Sequence, residues 1–455
     1  MTLLRRFLRI LSLFLGIFLL LGLLTLRPID QTPYTDWQGY TQALEALQQA
    51  STPEVPVAGE ALRVGWAKVN LTPDHLSPLA GYGNRLGASY EQVVDSVYAR
   101  VFVLDNGQRR VAYFAMDLLI APPELTERLQ AALRTDAFPV DFVYLTATHS
   151  HHSFGGWAPR LGGFVLAGKF DEDALERLVT QLQHATRQAA ATLQPCEVAY
   201  TETHVPTFVQ NRVMHEEGEL DDVLHTVVFR KQDGALATLT TYTAHATSLG
   251  MKDLRLSADY PGYFSHQVET QSRVELAAFS AGAVGSHGNQ SPASITGVAK
   301  ARLIGDGLAG EVCRALDSLH FSTTRRLDAV QIPLAFDKPQ LRLGRYLRFT
   351  PWVFHGLFGK YTTSLTALRI GSLVFVGIPA DFSGELTDDA TRAAAASPLI
   401  LTSFNGGYMG YITPKKYYNL DKYETRVMNF TGPEGGPYLV EMIGRLGQIM
   451  ERRAP

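Results

Sequence analysis

Residues 141–157 read DFVYLTATHSHHSFGGW. The apolar run Phe142-Val143-Tyr144-Leu145 breaks into a polar cluster holding His149, His151 and His152, followed by Gly155 and Gly156. The first half predicts a buried strand and the second a loop past its C-terminal end. Side chains two apart in an extended segment share a face, so His149 and His151 are expected to point into one cleft. Read by itself, the motif is equally well a solvated turn.

Two further stretches repeat the arrangement. ALATLTTYTAH (235–245) ends on His245, and SLVFVGIPADF (372–382) ends on Asp381, with Glu385 as the competing carboxylate. Catalytic groups of open α/β sheets gather at the C-terminal ends of strands. Zinc takes neutral imidazole nitrogens and carboxylate oxygens, commonly with one position left open. In SADYPGY (257–263), Asp259 is expected to orient a ligand histidine, to cap a helix starting near Tyr260, or to do both. The segment 407–424 adds a tyrosine cluster that includes Tyr408, Tyr411, Tyr417, Tyr418 and Tyr423.

Other strand-like runs follow from Leu62 onward. Between them lie helical stretches such as ELTERLQAALR (124–134) and EDALERLVTQLQHATRQAAATL (172–193). The expected fold is α/β, with mixed β-sheets layered with helices and the site at strand ends. The 455 residues carry a net charge of −3, which argues against nucleic acid as a partner. Cys196 and Cys313 leave open one bridge or two separate thiols.

Arg5, Arg6 and Arg9 precede an uncharged stretch from Ile10 to Leu26, about 25 Å long as a helix. Residues 1–27 are therefore expected to form an uncleaved signal anchor that crosses the membrane, basic end inside. A cleaved signal peptide is the second reading. Residues 28–60 are expected to be a linker, and 61–455 a catalytic domain that is periplasmic or extracellular. Within 341–361, Arg342, Arg345 and Arg348 alternate with Tyr346, Phe349, Trp352, Phe354 and Phe358. This is expected to be either a membrane-interface stripe or a loop covering the core.

Taken in order, these segments resemble the catalytic domain of the neutral/alkaline (non-lysosomal) ceramidases, over roughly 62–450. The resemblance begins with VGWAKVNLTP and LAGYGN, then VYARVFVLDNG, TATHSHHSFGG and QNR (210–212). It continues through TAHATSLG with SADYPGY, LRIGSLVFVGIPADF and GYITPKKYYNLDKYE. It implies a zinc amidase acting on ceramide or a related N-acyl lipid. His149, His245, Asp381 and Tyr411 then hold Zn2+, and His151 faces the substrate. Arg212 and Tyr423 lie near the scissile amide, Gly81 falls in the loop framing the oxyanion, and Ser291 belongs to a substrate loop. Zinc lowers the pKa of bound water from about 15.7 towards roughly 7, which suits amide hydrolysis at neutral pH.

Some positions differ from the family pattern. Asp381 stands where the family has Glu, and GSHGNQSP (285–292) replaces a Gly-Asp-x-Ser-Pro loop. The immunoglobulin-like C-terminal domain usual in the family is expected to be absent. A zinc amidase or esterase of the same fold with another substrate is a second hypothesis, and a catalytically silent lipid-binding protein a third.

Overall fold

Strand β4 (Tyr98–Asp105) shows how the core is built: Val101 and Val103 enter one apolar cluster, Phe102 and Leu104 another. The next strand, β5 (Arg110–Met116), divides the same way, with Phe114 and Met116 on one side and Tyr113 and Ala115 on the other. Burial on both faces explains why these runs are continuously apolar. The computed structural model describes residues 2–51, 59–334, 338–360, 363–395 and 398–453.

The two strands belong to a nine-stranded sheet. Its order is β12 (Val274–Ala281), β10 (Leu236–Tyr242), β9 (Val223–Lys231), β7 (Gln194–His204), β2 (Arg63–Asn70), β4, β5, β6 (Phe142–Ala147), with β14 (Ser322–Thr323) beside β7. The pairs β5/β6 and β10/β12 are parallel and the remaining ladders antiparallel, so the sheet is mixed. A second sheet has the order β15 (Leu327–Leu334), β18 (Thr363–Ile370), β19 (Leu373–Ile378), β21 (Leu399–Ser403). The sheets stack face to face, Phe102, Tyr113 and Tyr144 of one meeting Leu368, Phe375 and Ile400 of the other.

Helices cover both outer faces. On the large sheet lie α3 (Pro123–Arg134), α5 (Glu172–Ala191), α6 (Asp259–Gln271) and α7 (Gly297–Ala315). On the small sheet lie α2 (Gln38–Ser51), α9 (Thr387–Ala394) and α10 (Gly435–Arg452). In α5 the Asp171 carboxylate accepts from the Ala174 N–H, capping the first turn. Leu175, Leu178, Val179, Leu182, Ala185 and Ala189 then form its buried stripe. The helix passes so close to β2 that a Cβ at Gly65 would stand 1.9 Å from the Ala189 carbonyl oxygen.

Short ladders finish the ends. They are β3 (Gln92–Val93) with β11 (Arg255–Leu256), β8 (Val209–Asn211) with β13 (His287–Asn289), and β20 (Asp381–Phe382) with β22 (Tyr411–Ile412). Near the N-terminus, α1 (Thr2–Thr25) runs directly into β1 (Leu26–Pro28), which pairs with β17 (Leu347–Phe349) and through it with β16 (Arg342–Leu343). Two short helices, α4 (Arg160–Ala167) and α8 (Pro351–Phe358), lie nearby.

One sequence expectation changes here, and two alternatives left open are narrowed. The stretch 28–60, read as a linker, carries α2, whose Ala43 and Leu47 are buried. Tyr34 and Tyr40 also bond Glu441 at 2.6 and 2.8 Å, because these aromatics need an apolar partner and find it on α10. Residues 52–58 of that stretch lie outside the described residues. The stripe in 341–361 is divided between surface and interior, with Arg345, Tyr346 and Trp352 exposed. Arg342 and Arg348 are buried and donate to carbonyls of Tyr418, Thr425, Pro28 and Pro339, tying strands together. Tyr361 lies outside the described residues. Cys196 and Cys313 are both free thiols.

Candidate metal centre

Parallel pairing brings the predicted residues to one end of the molecule. His149 lies two residues past β6 and His245 three past β10, both ends belonging to the large sheet. Asp381 follows β19 of the small sheet, and β20 sets Asp381 directly beside Tyr411 in a parallel pair. The site therefore sits where the ends of the two stacked sheets meet.

His149 adopts φ 62°, a conformation uncommon for a residue with a side chain. Its backbone N–H bonds Leu118, and its Nδ1 lies 2.6 Å from the Leu119 carbonyl. That carbonyl can only accept, so Nδ1 carries the proton and Nε2 presents a lone pair. Phe404, also at positive φ (67°), stacks on the ring at 3.9 Å. His245 repeats the pattern, with Nδ1 3.2 Å from the Val284 carbonyl. The two Nε2 atoms stand 2.9 Å apart. With both Nδ1 atoms protonated, neither Nε2 has a hydrogen to give the other.

Asp381 completes the repulsive cluster. Its Oδ1 lies 3.6 Å from His149 Nε2 and 3.8 Å from His245 Nε2, fully buried and without a donor. Its Oδ2 accepts from the Tyr408 hydroxyl at 2.7 Å. Tyr411 Oη lies 3.4 Å from His245 Nε2 and accepts from Arg212 Nη2 at 2.9 Å. Arg212 is also ion-paired to Glu424 at 2.9 Å. Four ligands about 2.0–2.1 Å from a tetrahedral zinc stand about 3.3 Å from one another. The spacings of 2.9, 3.4, 3.6 and 3.8 Å fit such a cation. The facing Nε2 lone pairs of His149 and His245 have no hydrogen between them, which fits a shared cation better than a direct hydrogen bond.

Burial sets the protonation states of these groups. It depresses the His149 pKa to about 3 and His245 well below the imidazole norm, so both rings are neutral and ready to coordinate. Burial, offset partly by Tyr408 and Arg212, raises the Asp381 carboxyl to about 7.

His151 belongs to the same histidine trio, its candidate ligand atom lying within 4.8 Å of those of His149 and His245. Its hydrogen bonding sets it apart. The Tyr82 backbone N–H points at His151 Nδ1 at 3.5 Å, making Nδ1 the acceptor. Nε2 then carries the proton and lies 3.2 Å from His149 Nε2, facing the cluster as a donor. Gly81, at φ +86°, makes room for this ring: a Cβ there would fall 2.7 Å from His151 Nδ1. The Gly81 N–H is bonded to the Leu166 carbonyl at 2.9 Å.

Tyr423 is half-exposed and meets the Tyr411 ring edge-on at 5.8 Å. Ser291 is not drawn into the cluster; its hydroxyl turns back on its own loop, to the Ile295 carbonyl at 3.0 Å. Asp259 does not orient His245, whose Nδ1 goes to Val284. It accepts instead from the N–H groups of Tyr260 and Ser248, joining the loop after β10 to the start of α6. Glu385 is buried apart from the histidines, near Asn211 and Tyr417. His152 is held by Arg85, whose Nη2 lies 2.5 Å from its Nε2.

Sequence reasoning missed Phe404, Glu424 and the Leu119 and Val284 carbonyls. Tyr408 was visible only as one of a tyrosine cluster. A small apolar cleft between α4 and α8 is lined by Trp157, Phe354, Phe358, Phe430 and Tyr408, the last of which bonds Asp381 through its hydroxyl.

Residues 63–319 match the model of the neutral/alkaline non-lysosomal ceramidase N-terminal domain. The chain belongs to that family. Among its relatives, the neutral ceramidase of Pseudomonas aeruginosa is 25% identical over 252 residues. The match takes in 50% of this chain and 37% of that protein, so the chain aligns with well under two thirds of its relative's length. The crystal structure of that neutral ceramidase superposes with a TM-score of 0.73 at 20% identity, covering 86% of this chain and 75% of the other. A ceramidase complexed with C2 gives 0.73 at 19%, covering 87% and 76%. At these identities the superpositions show a shared fold. Asp381, Tyr411 and Tyr423 lie beyond the family match, on the small-sheet side of the site.

Proposed function

We propose that this chain is a zinc-dependent amidohydrolase that cleaves the N-acyl amide of ceramide or a related N-acyl lipid into fatty acid and amine. The observation that carries the reading is the pair of imidazole lone pairs 2.9 Å apart beside a donorless buried carboxylate oxygen. Family membership and the apolar cleft that Tyr408 lines support a lipid substrate.

His149, His245, Asp381 and Tyr411 are the residues assigned to hold Zn2+. When bound, such a cation supplies Lewis acidity, polarising a carbonyl and acidifying water. The chain supplies the rest. Leu119 and Val284 fix the tautomers that turn both Nε2 atoms inward. Tyr408 holds Asp381 by Oδ2 and leaves Oδ1 free. Hydrolysis adds water across the C–N bond, so the departing nitrogen needs a proton. His151, with Nε2–H facing the cluster, is the donor assigned here. Arg212 and Tyr423 flank Tyr411 and supply positive charge and a hydroxyl for the developing oxyanion.

Residues 1–27 serve in this reading as a signal anchor that places residues 61–455 outside the cytoplasmic membrane. Leu4–Thr25 supports it: 22 residues of mean hydropathy 2.5, unburied by the rest of the chain. The reading is tested by incubating the purified chain with a labelled N-acyl sphingoid base, N-acyl amino acids and acyl esters. Fatty acid released from the first is the expected result. Release only from the others replaces ceramide with another acyl compound, and release from none contradicts the reading.

A further inference from the structure

The anchor helix is not tethered loosely to the body. A helix leaves its last carbonyls without partners inside itself. In α1 the body supplies them: Trp352 Nε1 donates to Leu24 at 3.3 Å and the Thr350 N–H to Thr25 at 2.7 Å. Arg27 closes the turn on the Leu23 carbonyl at 2.6 Å. The chain then enters β1 with no spacer, pairing Leu26 with Phe349 and Pro28 with Leu347. Buried Arg348 donates to the Pro28 carbonyl, and Lys338 pairs with Asp30 at 2.8 Å. This seam ties the C-terminal end of α1 to the body on both sides of the junction.

A distinct face is thereby turned towards the plane where α1 ends. Trp352 on α8 is 62% exposed, and Tyr346 in the β16–β17 turn 72%. Packed against α8, α4 exposes Leu161, Phe164 and Val165. Close packing of the two helices is enforced at Gly162, where a Cβ would stand 2.2 Å from Phe358. Beside Trp352 opens a groove of about 600 Å³ lined by His355 and by Arg160 and Lys360, cations that suit lipid phosphates. Exposed Trp and Tyr next to aliphatic side chains and basic groups is the composition of a membrane interface. The small apolar cleft that Tyr408 lines lies between these same two helices.

We propose that α1 is docked as a rigid strut that holds the α4–α8 face against the leaflet in which α1 ends, so that lipid passes sideways from that leaflet into the cleft. The occupant of this face is the bilayer surface itself. The proposal rests on the reading of α1 as a membrane anchor and deepens it: the anchor sets orientation as well as location.

The test uses the full chain in phospholipid nanodiscs, with Cys196 and Cys313 replaced and an environment-sensitive fluorophore on Leu161→Cys, Tyr346→Cys or Gln232→Cys. Gln232 lies in the β9–β10 hairpin, at the opposite end of the large sheet from the site. Quenching by lipid-borne nitroxides is expected to be several-fold stronger at 161 and 346 than at 232. Equal, weak quenching at all three overturns the proposal. A short Gly-Ser insertion between Thr25 and Leu26 keeps the anchor and breaks the strut. It is expected to reduce quenching at 161 and 346 and, several-fold, hydrolysis of bilayer substrate, while hydrolysis of a detergent-dispersed short-chain amide is kept. Unchanged quenching after the insertion also overturns the proposal. The labels report position and not catalysis, so a chain that hydrolyses nothing contradicts the proposed activity and leaves the docking result standing.

Discussion

His149 and His245 meet nose to nose, their Nε2 atoms 2.9 Å apart, with each Nδ1 committed to a backbone carbonyl. Two lone pairs at that distance repel unless something positive lies between or beside them. Asp381 Oδ1, also without a donor, faces both. The tautomers are dictated by Leu119 and Val284, so the polarity of the site is built into the backbone of two different loops.

The Tyr408→Phe variant tests how the carboxylate is held. Losing the hydroxyl removes the 2.7 Å bond to Asp381 Oδ2 while leaving the ring that lines the apolar cleft. Loss of a bond that orients a ligand typically costs about 10–100-fold in metal affinity. Competitive chelator titration should show a loss of that order with thermal stability nearly unchanged. Unaltered affinity would mean that Asp381 needs no such support.

Gly81→Ala separates geometry from metal binding. The new methyl meets both a φ of +86° and a contact of 2.7 Å to His151 Nδ1, so the ring must move. A displacement of the order of 1 Å near a reacting group costs about 100-fold in rate. kcat is expected to fall by about that factor while the protein keeps its metal. Wild-type kcat would remove His151 from the proposed proton-transfer role.

Proton release on zinc binding should reflect Asp381 and not the histidines. The carboxyl is raised to about 7 in the metal-free site, and a cation binds its ionised form. The His149 ring, depressed to about 3, and the still neutral His245 have no proton to lose on the coordinating atom. Zinc affinity should therefore fall as pH drops below about 7, by close to tenfold per unit. Calorimetry in paired buffers should find about one more proton released at about pH 5.5 than at about pH 8.5. A difference of two or more would show that the imidazoles are protonated.

Much of this was legible in the sequence because it is local. The runs ending at His149, His245 and Asp381 are strands, and a strand carries its last polar residue to the sheet end whatever pairs beside it. The helices at 124–134 and 172–193 were equally plain in their apolar period. Long-range pairing left weaker traces. Nothing within 26–28 announces that it will pair with 347–349, and Arg342 and Arg348 look like surface cations until the carbonyls that bury them are in place. The same holds for Asp259, whose partners Ser248 and Tyr260 lie in a folded loop, and for Gly81, whose value is the space beside His151. Backbone carbonyls that fix tautomers have no sequence signature.

The central claim is tested most directly by metal analysis of the purified full chain and of its His149→Ala variant. We expect one equivalent of zinc per wild-type chain, near-complete loss in the variant, and amide hydrolysis lost with it. A wild-type protein that cleaves its substrate with no stoichiometric metal, or a His149→Ala variant that keeps both zinc and activity, would contradict the account.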